Sequence, residues 1–162
     1  MSKKIIFIRH AKSSWNYEVS DKDRPLSERG INDAYLVATY LKDKHFHPEI
    51  IFSSPANRAL HTCLIFLRTL DISFSKVTIT DRLYDFSGSE VVSFLKSLSN
   101  DYREIMIFGH NHAFTSLVNM FGDAYINNVT TSGVVSIEFN TSEWASIDNG
   151  HTELTIFPKQ LR

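Results

Sequence analysis

Basic residues that could do chemistry follow three separate apolar segments of the chain. They are Arg9 and His10 after segment 5–8, Arg58 after segment 49–52, and His110 after segment 104–108. Guanidinium groups and imidazole N–H donors suit a compact anion with many acceptor oxygens, which describes a phosphoryl group. A neutral imidazole is also a nucleophile toward phosphorus, and its attack would give a phosphohistidine that water then hydrolyses. These residue types predict phosphoryl chemistry, provided that the fold brings the three clusters together.

The three segments must be neighbouring parallel strands if their ends are to meet. Apolar runs predict strands at residues 5–8, 49–52, 76–80 and 104–108, with a closing pair at 134–139 and 153–157. Apolar periodicity predicts helices at residues 27–44, 54–70, 90–98 and 113–121. Near-continuous apolar strands that alternate with helices indicate a three-layer α/β/α fold, with a mainly parallel sheet covered on both faces. In such folds the ligand site lies beyond the carboxyl ends of the strands.

Two of the predicted helices begin with specific signals. Ser27 is predicted to cap the first helix, whose apolar stripe would contain Ile31, Ala34, Tyr35, Ala38 and Leu41. Ser54 is predicted to cap the second helix, with Pro55 in its first turn. Arg58 would then lie near the start of that helix, where the helix dipole disfavours positive charge. A residue that occupies a position its charge disfavours is a good candidate for a functional role.

The composition and net charge of the chain indicate what kind of protein it is and which binding partners are not expected. The 162 residues are 43% hydrophobic and 22% charged, which predicts a single soluble domain over residues 1–162. A formal net charge of −1 gives no reason to expect nucleic acid as a partner. The single cysteine, Cys63, lies in an apolar run and is predicted to be a buried thiol. The first apolar run is too short for a signal peptide or a membrane span, so we expect a cytoplasmic protein with no membrane partner.

Four sequence blocks extend the pattern beyond the basic residues. Segment 9–11 reads Arg-His-Ala, segment 23–30 reads Asp-Arg-Pro-Leu-Ser-Glu-Arg-Gly, segment 53–59 reads Ser-Ser-Pro-Ala-Asn-Arg-Ala, and segment 109–111 reads Gly-His-Asn. In this order the blocks resemble the RHG/RHA, D-x-x-R-P-L-s-x-x-G, S-S-P-A-x-R-A and G-H-N/E-P motifs of the histidine phosphatase superfamily, also called phosphoglycerate mutase-like. The resemblance covers residues 5–112, about two-thirds of the chain.

The resemblance implies a role for each matching residue. His10 would be the nucleophile that becomes phosphorylated. Three residues would hold the oxygens of the transferring phosphoryl group: Arg9, Arg58 and His110. Three more would contact the substrate: Ser13, Asn16 and Asn111. His112 stands where the family often has proline, and an alternative role for His110 and His112 is that of two metal ligands.

A leaving group or an attacking water would need an acid or a base nearby. Asp85 lies in the expected region after the third predicted strand and is the first candidate for this catalytic role, with Glu90 as the second. A phosphoamidate leaves readily once its nitrogen is protonated. A site without an acid would therefore favour phosphoamidates over phosphomonoesters.

Within the superfamily the chain is similar to the short branch of bacterial phosphohistidine phosphatases of the SixA type. Segment 12–15 (Lys-Ser-Ser-Trp) and segment 24–26 (Arg-Pro-Leu) carry this likeness. The short segment before Glu90 predicts an open site, which suits phosphohistidine on another protein. We expect a monomer that uses no metal and no cofactor. Three alternatives stay open: a phosphomonoesterase for small substrates, a non-catalytic phosphate-binding domain, and a mutase, which the lack of a lid disfavours because transfer must exclude water.

Overall fold

Six strands form one mixed sheet in the computed structural model, which describes residues 1–162. The strands are β1 (Lys3–Arg9), β2 (Ile50–Ser53), β3 (Val77–Ile79), β4 (Glu104–Gly109), β5 (Val134–Phe139) and β6 (His151–Ile156). They lie in the order β3-β2-β4-β1-β5-β6. The first four in this order are parallel to one another, whereas β5 is antiparallel to β1 and β6 is antiparallel to β5. The predicted parallel sheet with a closing strand pair at one edge is confirmed.

Two helices cover each face of this sheet. The helices are α1 (Glu28–Leu41), α2 (Asn57–Leu70), α3 (Ser89–Lys96) and α4 (Ala113–Phe121). One buried cluster joins α1 and α2 to the sheet, and a second cluster joins α3 and α4 to the opposite face. The three-layer α/β/α prediction is therefore confirmed. The longest helices have 14 residues, and none of the helices combines the length and the apolar character needed to cross a membrane.

The central position of β1 explains its continuous apolar sequence. Ile5 and Phe7 belong to the cluster of α3 and α4, whereas Ile6 and Ile8 belong to the cluster of α1 and α2. All four side chains are fully buried, because a strand covered on both faces needs apolar residues at every position. Cys63 of α2 is also buried, as predicted, and burial raises the pKa of its thiol to about 12.

The start of α1 fixes the loop that follows β1. The Ser27 hydroxyl accepts the N–H of Gly30 at 3.0 Å, which confirms the predicted cap, and it donates to the Lys12 carbonyl at 3.0 Å. A Cβ at Gly30 would lie 2.1 Å from that carbonyl oxygen, so only glycine permits this approach. The predicted apolar stripe is wrong at Tyr35, which is exposed, because Val37 occupies the core-facing position instead.

The prediction that Ser54 caps α2 is wrong. The helix begins at Asn57, and the residue before it, Ala56, makes no side-chain cap. The Ser54 N–H donates to the Phe108 carbonyl of β4 at 3.0 Å, so the extended chain of β2 continues through Ser54 and delays the helix. The Ser54 hydroxyl accepts the N–H of Ala56 at 3.2 Å within the connecting turn. Arg58 is consequently the second residue of the helix.

Candidate active site

Three adjacent strands bring the predicted clusters to one edge of the sheet. His10, Ser54 and His110 are the first residues after β1, β2 and β4, and β4 lies between the other two strands. The N–H of His10 donates to the Gly109 carbonyl at 3.1 Å, just as Ser54 bonds to Phe108. The backbones of His10 and Ser54 are therefore both held by hydrogen bonds to β4, which fixes the positions from which their side chains extend.

The imidazole of His10 is oriented by its own backbone. Its Nδ1 lies 2.7 Å from the Ala11 carbonyl, which can only accept, so Nδ1 carries the hydrogen and Nε2 keeps its lone pair. The ring lines the site cavity but is only 7% exposed. Burial lowers the pKa of His10 to about 3; the Ala11 hydrogen bond opposes this shift, and the charges of His110, Arg58 and Arg9 add to it. His10 is thus neutral at ordinary pH, as a nucleophile must be.

His110 lies beside His10 and is more deeply buried. The two ring centroids are 5.2 Å apart, and the side chain of His110 is 1% exposed. Its Nε2 lies 2.8 Å from the Ser54 hydroxyl, and the ring of Phe86 lies 4.9 Å away on the cavity side of the site. Burial, followed by the charge of Arg58, lowers the pKa of His110 to about 3. The ring is therefore also neutral, so it carries a single N–H.

One buried arginine, Arg58, and one half-buried arginine, Arg9, lie beside these histidines. Arg58 is 2% exposed, and Asp21 holds its guanidinium: Nη1 donates to the Asp21 carbonyl at 2.6 Å and Nη2 to the carboxylate at 2.9 Å. Arg9 Nη1 donates to the Val129 carbonyl at 3.0 Å. Both guanidinium groups are held through their terminal nitrogens, and Nε of each is buried without a hydrogen-bond partner.

Several buried N–H donors of this site have no partner within the protein. Six buried side-chain polar atoms of the chain lack a hydrogen bond, and four of them belong to basic residues of the site: Nε of Arg9, Arg24 and Arg58, and Nδ1 of His110. The other two are the hydroxyls of Thr130 and Ser132. Buried donors in native proteins normally have acceptors. Three cationic Nε–H donors in one place, beside the unpartnered Nδ1 of His110, suit an oxyanion with several acceptor oxygens.

Asp21 is a functional candidate that sequence reasoning missed. It is the only carboxylate that lines the cavity, and besides Arg58 it contacts Arg24 Nη2 at 3.1 Å and accepts the hydroxyl of Tyr84. Partial burial would raise its pKa, but the hydrogen bonds from Tyr84, Arg58 and Arg24 outweigh burial and hold the pKa well below the usual range. The sequence motif does indicate Asp21, because the arginine of the D-x-x-R motif lies three positions after the aspartate, and Asp21 rather than Asp23 has this distance from Arg24.

The cavity formed by these side chains is open and basic. Its volume is about 340 Å³, and eleven residues line it: Arg9, His10, Lys12, Ser13, Trp15, Asp21, Arg24, Arg58, Phe86, Asn111 and Thr131. Four of these side chains are cationic and one is anionic, which favours an anionic ligand. The indole of Trp15 is 79% exposed and stacks on the Arg24 guanidinium at 3.7 Å, so an aromatic surface flanks the opening.

A comparison with known families identifies this arrangement. Residues 5–91, more than half of the chain, match the sequence profile of the histidine phosphatase superfamily (branch 1). The chain belongs to the histidine phosphatase superfamily. A segment of 83 residues is 39% identical to the 2,3-bisphosphoglycerate-dependent phosphoglycerate mutase of Borrelia garinii, and this match covers 49% of the chain and 34% of that mutase. Membership supports a phosphatase or mutase activity that uses a histidine.

Solved structures of the superfamily show the same fold. The protein histidine phosphatase SixA, solved with tungstate, matches with a TM-score of 0.83 and 22% identity, and 98% of this chain and 99% of that chain are covered. A structure described as phosphohistidine phosphatase SixA from Agrobacterium tumefaciens matches with a TM-score of 0.75 and 26% identity, over 85% of this chain and 92% of that chain. The chain is therefore a SixA-like member of the histidine phosphatase superfamily.

The two predicted acids of this superfamily member lie outside the cavity lining, as does His110, whose ring lies 4.9 Å from that of the lining residue Phe86. The Asp85 carboxylate accepts the backbone N–H groups of Gly88, Glu90 and Val91 at 3.0 to 3.1 Å, at the start of α3. Gly88 has no side chain to cap this helix, so Asp85 supplies the acceptor instead. The Glu90 carboxylate pairs with Arg82 Nε at 2.7 Å. This geometry favours structural roles for both, and a role for either carboxylate as the proton donor stays a prediction.

The predicted substrate-binding residues differ in their positions. Ser13 and Asn111 line the cavity, whereas Asn16 is exposed outside the lining. The Ser13 hydroxyl accepts a hydrogen bond from Arg24, and the Asn111 amide bonds to Asn128 at 2.6 Å, so both side chains also have partners within the protein. Asn16 makes no side-chain contact that would hold it near the basic residues.

The alternative metal site at His110 and His112 receives no support from the geometry. His112 is exposed at the residue before α4, whereas His110 is buried beside His10. No group of three or more His, Cys, Asp or Glu side chains is arranged so that it could hold a metal ion. The positive charge of the site comes from arginine and lysine side chains.

Proposed function

We propose that the chain is a phosphatase that forms a covalent phosphohistidine at His10 and acts on phosphohistidine in other proteins. One observation carries this proposal: the neutral, oriented imidazole of His10 has its unprotonated Nε2 in a basic cavity with unpartnered N–H donors. We also propose that residues 1–162 act as one domain, because both helix layers pack on the same sheet.

The proposed reaction has two steps at phosphorus. Nε2 of His10 attacks the phosphorus atom, and the bond from phosphorus to the leaving nitrogen breaks with its electron pair going to nitrogen. Arg9, Arg58 and His110 donate hydrogen bonds to the phosphoryl oxygens as their charge redistributes. Water then attacks the phosphohistidine, and the bond to Nε2 breaks to restore His10 and release inorganic phosphate.

The acid–base groups of the cavity favour a phosphoamidate substrate. Asp21, the one carboxylate in the lining, has a lowered pKa and carries no proton at neutral pH. Asp85 and Glu90 are engaged elsewhere. An alkoxide leaving group would need a proton donor, whereas the imidazole nitrogen of phosphohistidine leaves as a neutral ring when its other nitrogen is protonated. The likeness to SixA structures supports the same substrate class.

The shape of the cavity is consistent with a substrate presented by a protein. The opening is flanked by exposed aromatic side chains, Trp15 and Phe86. Exposed aromatic residues beside a functional cavity are typical of protein contact surfaces. We therefore propose a phosphorylated protein as the partner.

Parallel hydrolysis assays test this proposal. Release of phosphate would be measured from a phosphohistidine-bearing protein and from p-nitrophenyl phosphate, each with and without a chelator, using His10→Ala as the control. We expect faster release from phosphohistidine, no effect of chelator, and no turnover by the variant. A preference for p-nitrophenyl phosphate would indicate a phosphomonoesterase instead. Release from neither substrate would indicate a phosphate-binding domain, and transfer to an added alcohol in place of water would indicate a mutase.

A further inference from the structure

A buried hydrogen bond connects two strand ends behind the cavity. The hydroxyl of Ser54, after β2, lies 2.8 Å from Nε2 of His110, after the neighbouring β4. Both side chains are almost fully buried, at 0% and 1% exposed. The contact therefore exists in a place where water cannot substitute for either partner, and the position of its hydrogen determines the chemistry of the imidazole.

The other contacts of Ser54 decide where that hydrogen lies. Its oxygen already accepts the backbone N–H of Ala56 at 3.2 Å. The hydroxyl has one hydrogen of its own, and Nε2 of His110 is the only acceptor within hydrogen-bond distance. A buried hydroxyl that failed to donate would lose most of the free energy of a hydrogen bond. The Ser54 hydroxyl therefore donates to Nε2, which requires that Nε2 carries no hydrogen.

We propose that Ser54 is a positioning residue that fixes His110 as the Nδ1–H tautomer, so that the neutral ring donates Nδ1–H to the transferring phosphoryl group. This inference rests on the proposed function. Nδ1 of His110 is buried and has no hydrogen-bond partner within the protein, and the ring lies 5.2 Å from that of His10 and 4.9 Å from that of Phe86, both of which line the cavity. With the opposite tautomer, Nδ1 would present a lone pair to a phosphoryl oxygen and repel it.

The neutrality of His110 makes the tautomer decisive. A protonated imidazole would donate from both nitrogens whatever Ser54 did. Burial and the charge of Arg58 hold the pKa of His110 at about 3, so the ring has one hydrogen at working pH. The hydrogen bond from Ser54 then determines whether Nδ1 of His110 is a hydrogen-bond donor or an acceptor. Removing one preorganised donor at a developing oxyanion costs about 100-fold or more in kcat, and losing control of the tautomer would cost part of that.

The chain offers a matched control in the adjacent serine. Ser53 is equally buried, and its hydroxyl donates to the backbone carbonyl of Ser54 at 3.0 Å without contacting His110. Ser53→Ala removes one buried hydroxyl and one hydrogen bond, whereas Ser54→Ala removes one buried hydroxyl and two hydrogen bonds, to Ala56 and to His110. A purely structural effect would lower the stability of both variants. Only Ser54→Ala should change the tautomer of His110 and lower kcat. Ser54→Thr keeps the hydroxyl and should therefore retain both the Nδ1–H tautomer and the kcat of the unmodified protein.

Nuclear magnetic resonance with ¹⁵N-labelled histidine tests the inference on the unmodified protein. Long-range ¹H–¹⁵N correlations distinguish the two tautomers, and the signals of His110 are identified by their loss in His110→Asn. We expect Nδ1 of His110 to be protonated and Nε2 unprotonated, with a mixture or reversal in Ser54→Ala and a fall in kcat of about tenfold or more at little change in KM. An Nε2–H tautomer in the unmodified protein would overturn the inference, as would an unchanged tautomer in Ser54→Ala. Because the spectrum needs no turnover, a protein with the Nδ1–H tautomer but no hydrolysis would refute the proposed function and leave the tautomer assignment standing.

Discussion

Asp21 holds Arg58 through two separate acceptors, its backbone carbonyl at 2.6 Å from Nη1 and its carboxylate at 2.9 Å from Nη2. The end of the guanidinium is thereby fixed, and the unpartnered Nε remains on the other side. The same carboxylate contacts Arg24 and Tyr84. A single loop residue thus orients a cation that lies 37 positions away in the chain.

We expect Asp21→Asn to lower kcat/KM about tenfold, because hydrogen bonds to charged groups contribute about 1.5–3 kcal/mol and the backbone carbonyl still holds Nη1. Steady-state hydrolysis of a phosphohistidine-bearing protein would measure the change. Asp23→Asn is the matched control, since Asp23 is exposed and its carboxylate accepts only the Ser20 hydroxyl at 3.1 Å. Equal effects of the two substitutions would contradict a positioning role for Asp21.

The lowered pKa of His10 predicts a specific loss of stability in acid. The pKa falls from about 6.5 in the unfolded chain to about 3 in the folded protein. The unfolded chain therefore binds the proton first, and the stability contributed by neutral His10 is complete above pH 6.5 and is lost as the pH falls from there toward 3. The free energy of unfolding should drop more between pH 7 and pH 5 in the unmodified protein than in His10→Gln, by up to about 2 kcal/mol.

Urea denaturation at pH 7, 6 and 5 would measure this difference. His110→Gln should show a similar reduction in acid sensitivity, because burial lowers the pKa of His110 to the same range. His61→Gln is a weaker comparison, since His61 is less buried and its pKa is lowered less strongly. Identical pH dependence in the unmodified protein and in His10→Gln would mean that the pKa of His10 is the same in the folded and unfolded states, which would contradict the lowering of that pKa by burial.

Asp85→Ala should destabilise the protein without impairing the chemical step. The substitution removes the acceptor for three backbone N–H groups at the start of α3, and loss of such a cap costs about 1–2 kcal/mol. Urea denaturation would show the loss of stability, and kcat on phosphohistidine should stay within about threefold. The alternative, in which Asp85 is the general acid, predicts a fall in kcat of about 100-fold or more.

Glu90→Gln is the control for the second candidate acid. The Glu90 carboxylate pairs with Arg82 on an exposed surface, and exposed pairs contribute less than about 1 kcal/mol. We expect neither stability nor kcat to change appreciably. A large fall in kcat with unchanged stability would indicate that Glu90 reaches the substrate in a conformation other than the one described.

The strand and helix positions could be predicted because they depend on local apolar patterns. α4 and β5 match their predicted bounds, and β1 is recognisable because a strand buried on both faces is apolar at every position. The meeting of His10 and His110 followed from the same reasoning, since parallel neighbouring strands end at one edge. The side-chain contacts of the loops could not be predicted in this way.

Asp21, Ser54 and Asp85 show why the rest of the site was harder to predict. Asp21 contacts Arg58 only because the loop before α1 folds over the start of α2. The apolar periodicity that predicts helices and strands cannot predict such a contact. Ser54 has the sequence context of a helix cap, but pairing with β4 extends the strand through it and directs its hydroxyl to His110. Asp85 lies in a loop where an acid was expected, yet Gly88 leaves α3 without a cap and Asp85 fills that role.

The central claim is that Nε2 of His10 takes the phosphoryl group. The most direct test is to mix the protein with a ³²P-labelled phosphohistidine protein, quench in alkali, and locate the label by peptide mapping. We expect an acid-labile, alkali-stable phosphoryl group on the peptide that contains His10, absent from His10→Ala and retained in Ser53→Ala. Release of phosphate at full rate with no label on His10, or with label on another residue, would contradict the account.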